Sequence, residues 1–135
     1  MNLPAIPEGS SVIGVGIDLI EVSRVVRALE RQGERFRKRV FTEGEIDYCD
    51  AIKFSGPHFA ARFAAKEAVS KAFGTGIGEH LGWKSAEVVK DELGKPFIRL
   101  DEQGKALLLE RKASDVLISL AHTREHATAV AILVS

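Results

Sequence analysis

Apolar residues change their spacing repeatedly along the chain, and each change predicts an element. Ser11 to Ile20 (SVIGVGIDLI) is a run of apolar and β-branched residues with two glycines, the pattern of a buried strand, and Asp18 sits near its end. From Glu21 the apolar residues Val22, Val25, Val26 and Leu29 recur at helical spacing, which predicts an amphipathic helix to about Gly33. A shorter helix is expected over Glu34 to Arg39. Thr42 with Glu45 three residues on is a capping-box signature, opening a third helix that runs to about Ala51. Ser55-Gly56-Pro57 predicts a break. His58 to Phe73, rich in Ala and free of Gly and Pro, predicts the strongest helix, ended by Gly74-Thr75-Gly76-Ile77-Gly78. Ser85 to Lys90 and Pro96 to Leu100 read as a hairpin around Asp91-Glu92-Leu93-Gly94. Asp101 to Glu110 is expected to be a helix, and Asp115 to Ala121 and Ala127 to Val134 a second hairpin around His122-Thr123-Arg124-Glu125. The fold class is α+β: a strand, a block of helices, a hairpin, a helix and a hairpin.

Composition narrows the function classes. With 135 residues, 45% of them hydrophobic and 28% charged, the chain is expected to form one domain over residues 1–135 behind a loose, proline-containing lead at 1–10. Nineteen Lys and Arg against nineteen Asp and Glu leave no net charge, so a global attraction to nucleic acid or to an anionic membrane is excluded. The single Cys49 permits neither an internal disulfide nor a cysteine zinc set, which fits a reducing compartment. Pro4, Pro7 and Glu8 interrupt what would otherwise be a signal-peptide core, and the longest apolar stretch, Ala127 to Val134, falls far short of the ~20 residues of a membrane span. A cytoplasmic protein that engages no membrane is expected.

Two glycine clusters invite a phosphate-loop reading. Gly14-Val15-Gly16 has Leu19 where a dinucleotide fingerprint needs its third glycine and lies within a strand, so close backbone packing is expected there. Gly74, Gly76 and Gly78 follow a helix instead of leading into one, so they set no helix N-terminus under a phosphate; a mobile loop lying against a ligand stays open.

Charged residues in the long helix are unusually placed. At about 100° per residue, Glu67 and Lys71 fall between an aromatic stripe (Phe59, Phe63) and an alanine stripe (Ala61, Ala64, Ala65, Ala68, Ala72). They are either partly buried groups with a task or an exposed i,i+4 pair worth about 0.3–0.5 kcal/mol. Asp18, a carboxylate at the end of an apolar strand, is costly if unpaired. It either caps the helix that follows or joins Glu67 in a two-carboxylate magnesium site, since magnesium fills its octahedron with water and phosphate oxygens beyond one or two protein carboxylates. Between Arg24 and Arg39, seven basic residues face only Glu30 and Glu34, a local balance of +5 (seven minus two). Arg24, Arg27, Arg31 and Arg35 would share one face if the helix continued past Gly33, giving either a solvated face or a dock for an acidic partner. No aromatic residues interleave for base stacking, so nucleic acid is not expected as the partner.

Whole motifs carry a resemblance. Gly16-Ile17-Asp18, the block from Phe63 through Lys66, Glu67 and Lys71 to Gly78, then Gly94-Lys95-Pro96, then Ile118-Ser119-Leu120-Ala121-His122-Thr123 resemble the holo-[acyl-carrier-protein] synthases, the short stand-alone 4′-phosphopantetheinyl transferases. The resemblance runs in order from about Val12 to the C-terminus, with Ala121 where the family often has Ser or Thr. It implies a small, mostly antiparallel sheet packed on a long helix, three chains to a molecule, and sites at the chain interfaces. It also implies transfer of the 4′-phosphopantetheine arm of coenzyme A to a serine of apo acyl carrier protein in fatty acid biosynthesis, with release of adenosine 3′,5′-bisphosphate and with Mg2+ required. By the same resemblance Asp18 and Glu67 are the metal ligands, and Glu67, directly or through a water, takes the serine proton. Lys71 stabilises the pyrophosphate or protonates the leaving oxygen. Arg62, Lys66 and His122 line the coenzyme A phosphates, with Gly74 and Gly76 near the nucleotide end. Arg24 and Arg31 become the dock for the acidic carrier. The alternative from another class is a non-catalytic module of the same fold that binds an acidic protein.

Overall fold

The computed structural model describes residues 8, 9 and 11–135; apart from Glu8 and Gly9, the lead expected at 1–10 lies outside the described residues. Strand β1 (Val12–Glu21) is followed by helices α1 (Val22–Gln32), α2 (Glu34–Val40), α3 (Glu43–Asp50) and α4 (Gly56–Phe73), then β2 (Ala86–Lys90), β3 (Pro96–Leu100), α5 (Glu102–Glu110), β4 (Asp115–His122) and β5 (His126–Val134). All strand pairs are antiparallel. One sheet has the order β1-β5-β4 and the other is the β2-β3 hairpin.

The expected elements are present, with differences that have local causes. The long helix starts at Gly56, not His58, because Pro57 in its first turn needs no N–H partner and brings a helical φ. The basic helix does not run past Gly33, whose φ of 55° separates α1 from α2, so Arg35 leaves the face shared by Arg24, Arg27 and Arg31. The expected capping box forms, the Thr42 hydroxyl accepting from the Glu45 N–H while the Glu45 carboxylate accepts from the Thr42 N–H.

Helix α4 is the axis of the molecule, with the β1-β5-β4 sheet laid against it. Ala60, Ala61, Ala64, Ala65, Ala68 and Ala72 are buried, as are Ala127, Ala129, Ala131 and Leu133 on the inner face of β5. The two alanine sets let sheet and helix approach closely. At Gly16 the approach is extreme: a Cβ there would stand 2.0 Å from the Ala68 carbonyl oxygen, and one at Gly14 would stand 2.0 Å from that of Ala72. Close backbone packing is therefore the reason for this glycine pair, and it presses the following residue of that face, Asp18, against α4.

The other face of the sheet is uncovered within the chain. Ile17 is 50% exposed, Leu19 68% and Leu117 50%. Cys49, on α3, is fully enclosed among core residues. Among the described residues no helix is long and apolar enough to cross a membrane.

Candidate active site

Strand alternation directs Asp18 inward from β1, and helical spacing sets Glu67 and Lys71 one turn apart on α4. The three meet in one seam. Lys71 Nζ lies 3.0 Å from Asp18 Oδ1 and donates a second bond to the Ile17 carbonyl at 3.1 Å, with Asp18 17% and Lys71 27% exposed at the side chain. Asp18 is therefore not a helix cap: α1 is capped by Glu21, without a side-chain bond. Nor do Glu67 and Lys71 form the i,i+4 pair, since the ammonium turns to Asp18. Burial first, and then the charge of Asp18, push the Glu67 carboxyl pKa above its usual value, against the opposing pull of Lys71.

This donor set fits a divalent cation. Two carboxylates that repel one another across a half-buried seam are relieved by an added positive charge, and a hard ion such as magnesium takes oxygen ligands of this kind, completing its shell from water and substrate. Asp18 and Glu67 are the residues that would hold it.

Lys66 is a correction to the reading that it lines a phosphate. Its ammonium is wholly buried, 2.8 Å from Glu45 Oε1 and 2.9 Å from the Ala86 carbonyl oxygen, and the second Glu45 oxygen accepts from the Val88 N–H at 2.8 Å. Its charge is spent tying α3, α4 and β2 together. Burial lowers the Lys66 pKa while Glu45 opposes the shift. Arg62, only 2% exposed, lies 4.2 Å over the Tyr48 ring and donates to the His58 carbonyl, while its Nε has no hydrogen-bond partner. Tyr48, Arg62, Lys90 and Arg99 border a cavity of about 270 Å³ that also contains Glu87. His122 is not brought to the carboxylates. It faces His58 with 4.7 Å between ring centres, at the start of α4, whereas Lys71 lies in the last turn of that helix.

His58 and Tyr48 escaped the sequence reading. Only the i,i+4 spacing of His58 to Arg62 hinted at the first, and nothing local hinted at the second. Gly74, with φ 81°, ends α4 in the left-handed conformation and Gly76 follows at φ 68°. Their N–H groups bond back to Lys71 and Ser70, so this turn offers shape in place of a cradle of free amides. Arg24 and Arg31 are both exposed on α1.

Comparison with known proteins bears on the whole arrangement. The family model of the 4′-phosphopantetheinyl transferase superfamily matches residues 14–131. A holo-[acyl-carrier-protein] synthase of Ruminiclostridium cellulolyticum is 46% identical over 121 residues, covering 88% of this chain and 90% of that protein. The crystal structure of holo-[acyl-carrier-protein] synthase from Neisseria meningitidis superposes with a TM-score of 0.86 at 28% identity, covering 92% of this chain and 99% of the other. That of the Bacillus anthracis synthase, in complex with CoA (3′,5′-ADP), does so at 0.78 and 34%, covering 93% and 99%. A family match across this span, joined to a fold in which Gly16 sets Asp18 beside Glu67 and Lys71, leads to one conclusion: the chain belongs to the 4′-phosphopantetheinyl transferase superfamily, among the holo-[acyl-carrier-protein] synthases.

Proposed function

We propose that the seam between β1 and α4 is where this chain moves the 4′-phosphopantetheine arm of coenzyme A onto a serine hydroxyl of apo acyl carrier protein. The observation that carries the proposal is the Asp18–Lys71 contact at 3.0 Å beside a Glu67 carboxyl whose affinity for a proton is raised. In the reaction the serine oxygen forms a bond to the β-phosphorus of the pyrophosphate, and the bond from that phosphorus to the bridging oxygen breaks, releasing adenosine 3′,5′-bisphosphate. Glu67, directly or through a water, accepts the serine proton. Lys71, on the next turn of the same helix, is the cation that meets the leaving oxygen. Asp18 and Glu67 are the residues that would hold a magnesium ion, which when bound would supply offsetting charge for the pyrophosphate. The test is direct: coenzyme A, apo carrier protein and the chain are mixed with and without magnesium, and mass spectrometry follows the phosphopantetheine adduct on the carrier. Absence of the adduct with the ion present sinks the proposal and favours a non-catalytic binding module.

The carrier docks on α1. What supports this is the exposed face carrying Arg24, Arg27 and Arg31 in a chain with no net charge, set against a strongly acidic partner. Arg24→Glu is expected to raise the KM for carrier protein several-fold while leaving that for coenzyme A unchanged, with the larger penalty at low salt. Equal effects on both substrates would move the dock elsewhere.

The chain works as a homotrimer with coenzyme A between subunits. The alanine face of α4 and the inner face of β5 are consumed inside the chain. What supports assembly is the opposite sheet face, with Ile17, Leu19 and Leu117 open. Light scattering is expected to give about three times 14.7 kDa. A monomer fully active at nanomolar concentration would refute the shared site. A single domain over residues 1–135, acting in the cytoplasm, completes the proposal, the lone buried thiol being at home in a reducing compartment.

A further inference from the structure

We infer that α5 is a brace for the glycine turn that follows α4, and that its Gln103 and the adjoining Arg111 are positioning residues for coenzyme A; the inference rests on the reading that this turn borders the nucleotide end of the substrate. The turn has little packing of its own. Gly74 and Gly78 to His80 are exposed, and a Cβ added at Gly74, Gly76 or Gly78 would meet nothing within 4 Å. Its place is set by hydrogen bonds, and α5 supplies one at each end. Arg111 Nε donates to the Phe73 carbonyl at 3.0 Å, satisfying an acceptor at the end of α4 that the helix leaves open and setting a cation at the negative end of its dipole. Gln103 Nε2 donates to the Glu79 carbonyl at 2.8 Å. The amide oxygen of Gln103 accepts from the Ser85 hydroxyl at 3.1 Å, and that hydroxyl in turn accepts from the Gly82 N–H at 3.2 Å.

The brace is itself fixed. Asp101 caps α5 through the Gly104 N–H at 2.8 Å, and its own N–H donates to the Ser85 carbonyl at 2.9 Å. Gly104 and Leu107 are buried. Beyond Arg111 the chain takes a left-handed step at Lys112, φ 58°, and the Ala113 N–H closes on the Leu108 carbonyl at 3.0 Å. A side chain in that conformation is uncommon and is kept where its surroundings demand it. The step ends α5 directly after the residue that reaches Phe73. Elements with few contacts of their own open readily, so a turn held at both ends presents a more constant wall to a ligand than a free one.

The test uses the full chain in the transfer assay, with coenzyme A and carrier protein titrated separately. Arg111→Met removes the donor to Phe73; Gln103→Glu keeps the size and the Ser85 contact but has no N–H for Glu79. Each is expected to raise the KM for coenzyme A about fivefold, the loss of one ordinary hydrogen bond, with kcat and the KM for carrier within about twofold of the parent. Amide exchange at residues 75–79 should quicken in both. Arg111→Lys, which retains a donor, should restore the parental KM. Gly76→Ala, which strains the turn at φ 68°, is the companion variant. An unchanged KM for coenzyme A in both brace variants, or an equal rise for both substrates, overturns the brace. If Gly76→Ala alone raises that KM, the brace falls and the turn remains a wall of the site. If all three variants leave it unchanged, the reading of the turn as a coenzyme A wall falls as well.

Discussion

Glu67→Gln is expected to lower turnover of carrier protein by about 10²- to 10⁴-fold, the range over which a positioned general base contributes. The substitution keeps the volume of a half-buried side chain on α4, so the thermal midpoint should move little. Asp18→Asn should be comparably inactive, and in both variants the magnesium concentration for half-maximal activity should rise, because an amide is a poorer ligand than a carboxylate for a hard cation. Asn at residue 18 can still accept from Lys71 at the 3.0 Å contact, so the seam's packing survives while its charge is reduced. The measurement is initial rate against magnesium at saturating coenzyme A, with circular dichroism to verify the fold. Parental turnover in either variant would remove that carboxylate from the chemistry.

Lys66→Met should cost about 3–5 kcal/mol of stability, the penalty for leaving a fully buried carboxylate without its counter-charge. In a domain of this size that corresponds to a fall of roughly 10–20 °C in thermal midpoint. The Ala86 carbonyl also loses its partner, and only the Thr42 and Val88 N–H groups remain on Glu45. Adding Glu45→Gln should recover part of the loss, since the residual buried charge is then gone; a strictly additive double variant would mean that the two side chains are uncoupled. Kinetics at a temperature where the variant stays folded separate this role from phosphate binding. A core tie predicts a parental KM for coenzyme A, and a phosphate contact predicts a large rise.

The contrast between Lys66 and Glu67, neighbours on one helix, shows what the sequence could and could not convey. Signals written within a few residues were legible: the Thr42–Glu45 capping box, the alanine helix and its glycine stop, and both hairpins all form where the local pattern puts them. The packing of Gly16 against α4 was legible as a type of contact, although not its partner, Ala68. Lys66 was misread because its partners come from α3 and β2, and no local spacing announces a nonlocal ion pair. Helical geometry put Glu67 and Lys71 in a seam, yet which group Lys71 would choose depended on β1, which is held in place by β5 from the far end of the chain. Gly33 divided the basic stripe because a glycine at φ 55° ends α1, a conformational choice that a charge pattern cannot express.

Cys49 gives the molecule a chemical consequence of another kind. Coenzyme A and the pantetheine arm both end in a thiol, so an enzyme that handles them risks being captured through its own sulfur whenever an oxidant is present. Here the chain's one sulfhydryl is enclosed, and burial, partly opposed by Arg62, pushes its pKa up from 9.0 to about 11. That shift leaves about a hundredfold less thiolate at neutral pH than an ordinary cysteine would offer, and the thiolate is the species that attacks a disulfide. A disulfide form of the substrate therefore meets an enclosed thiol that is little ionised, a poor nucleophile for mixed-disulfide formation.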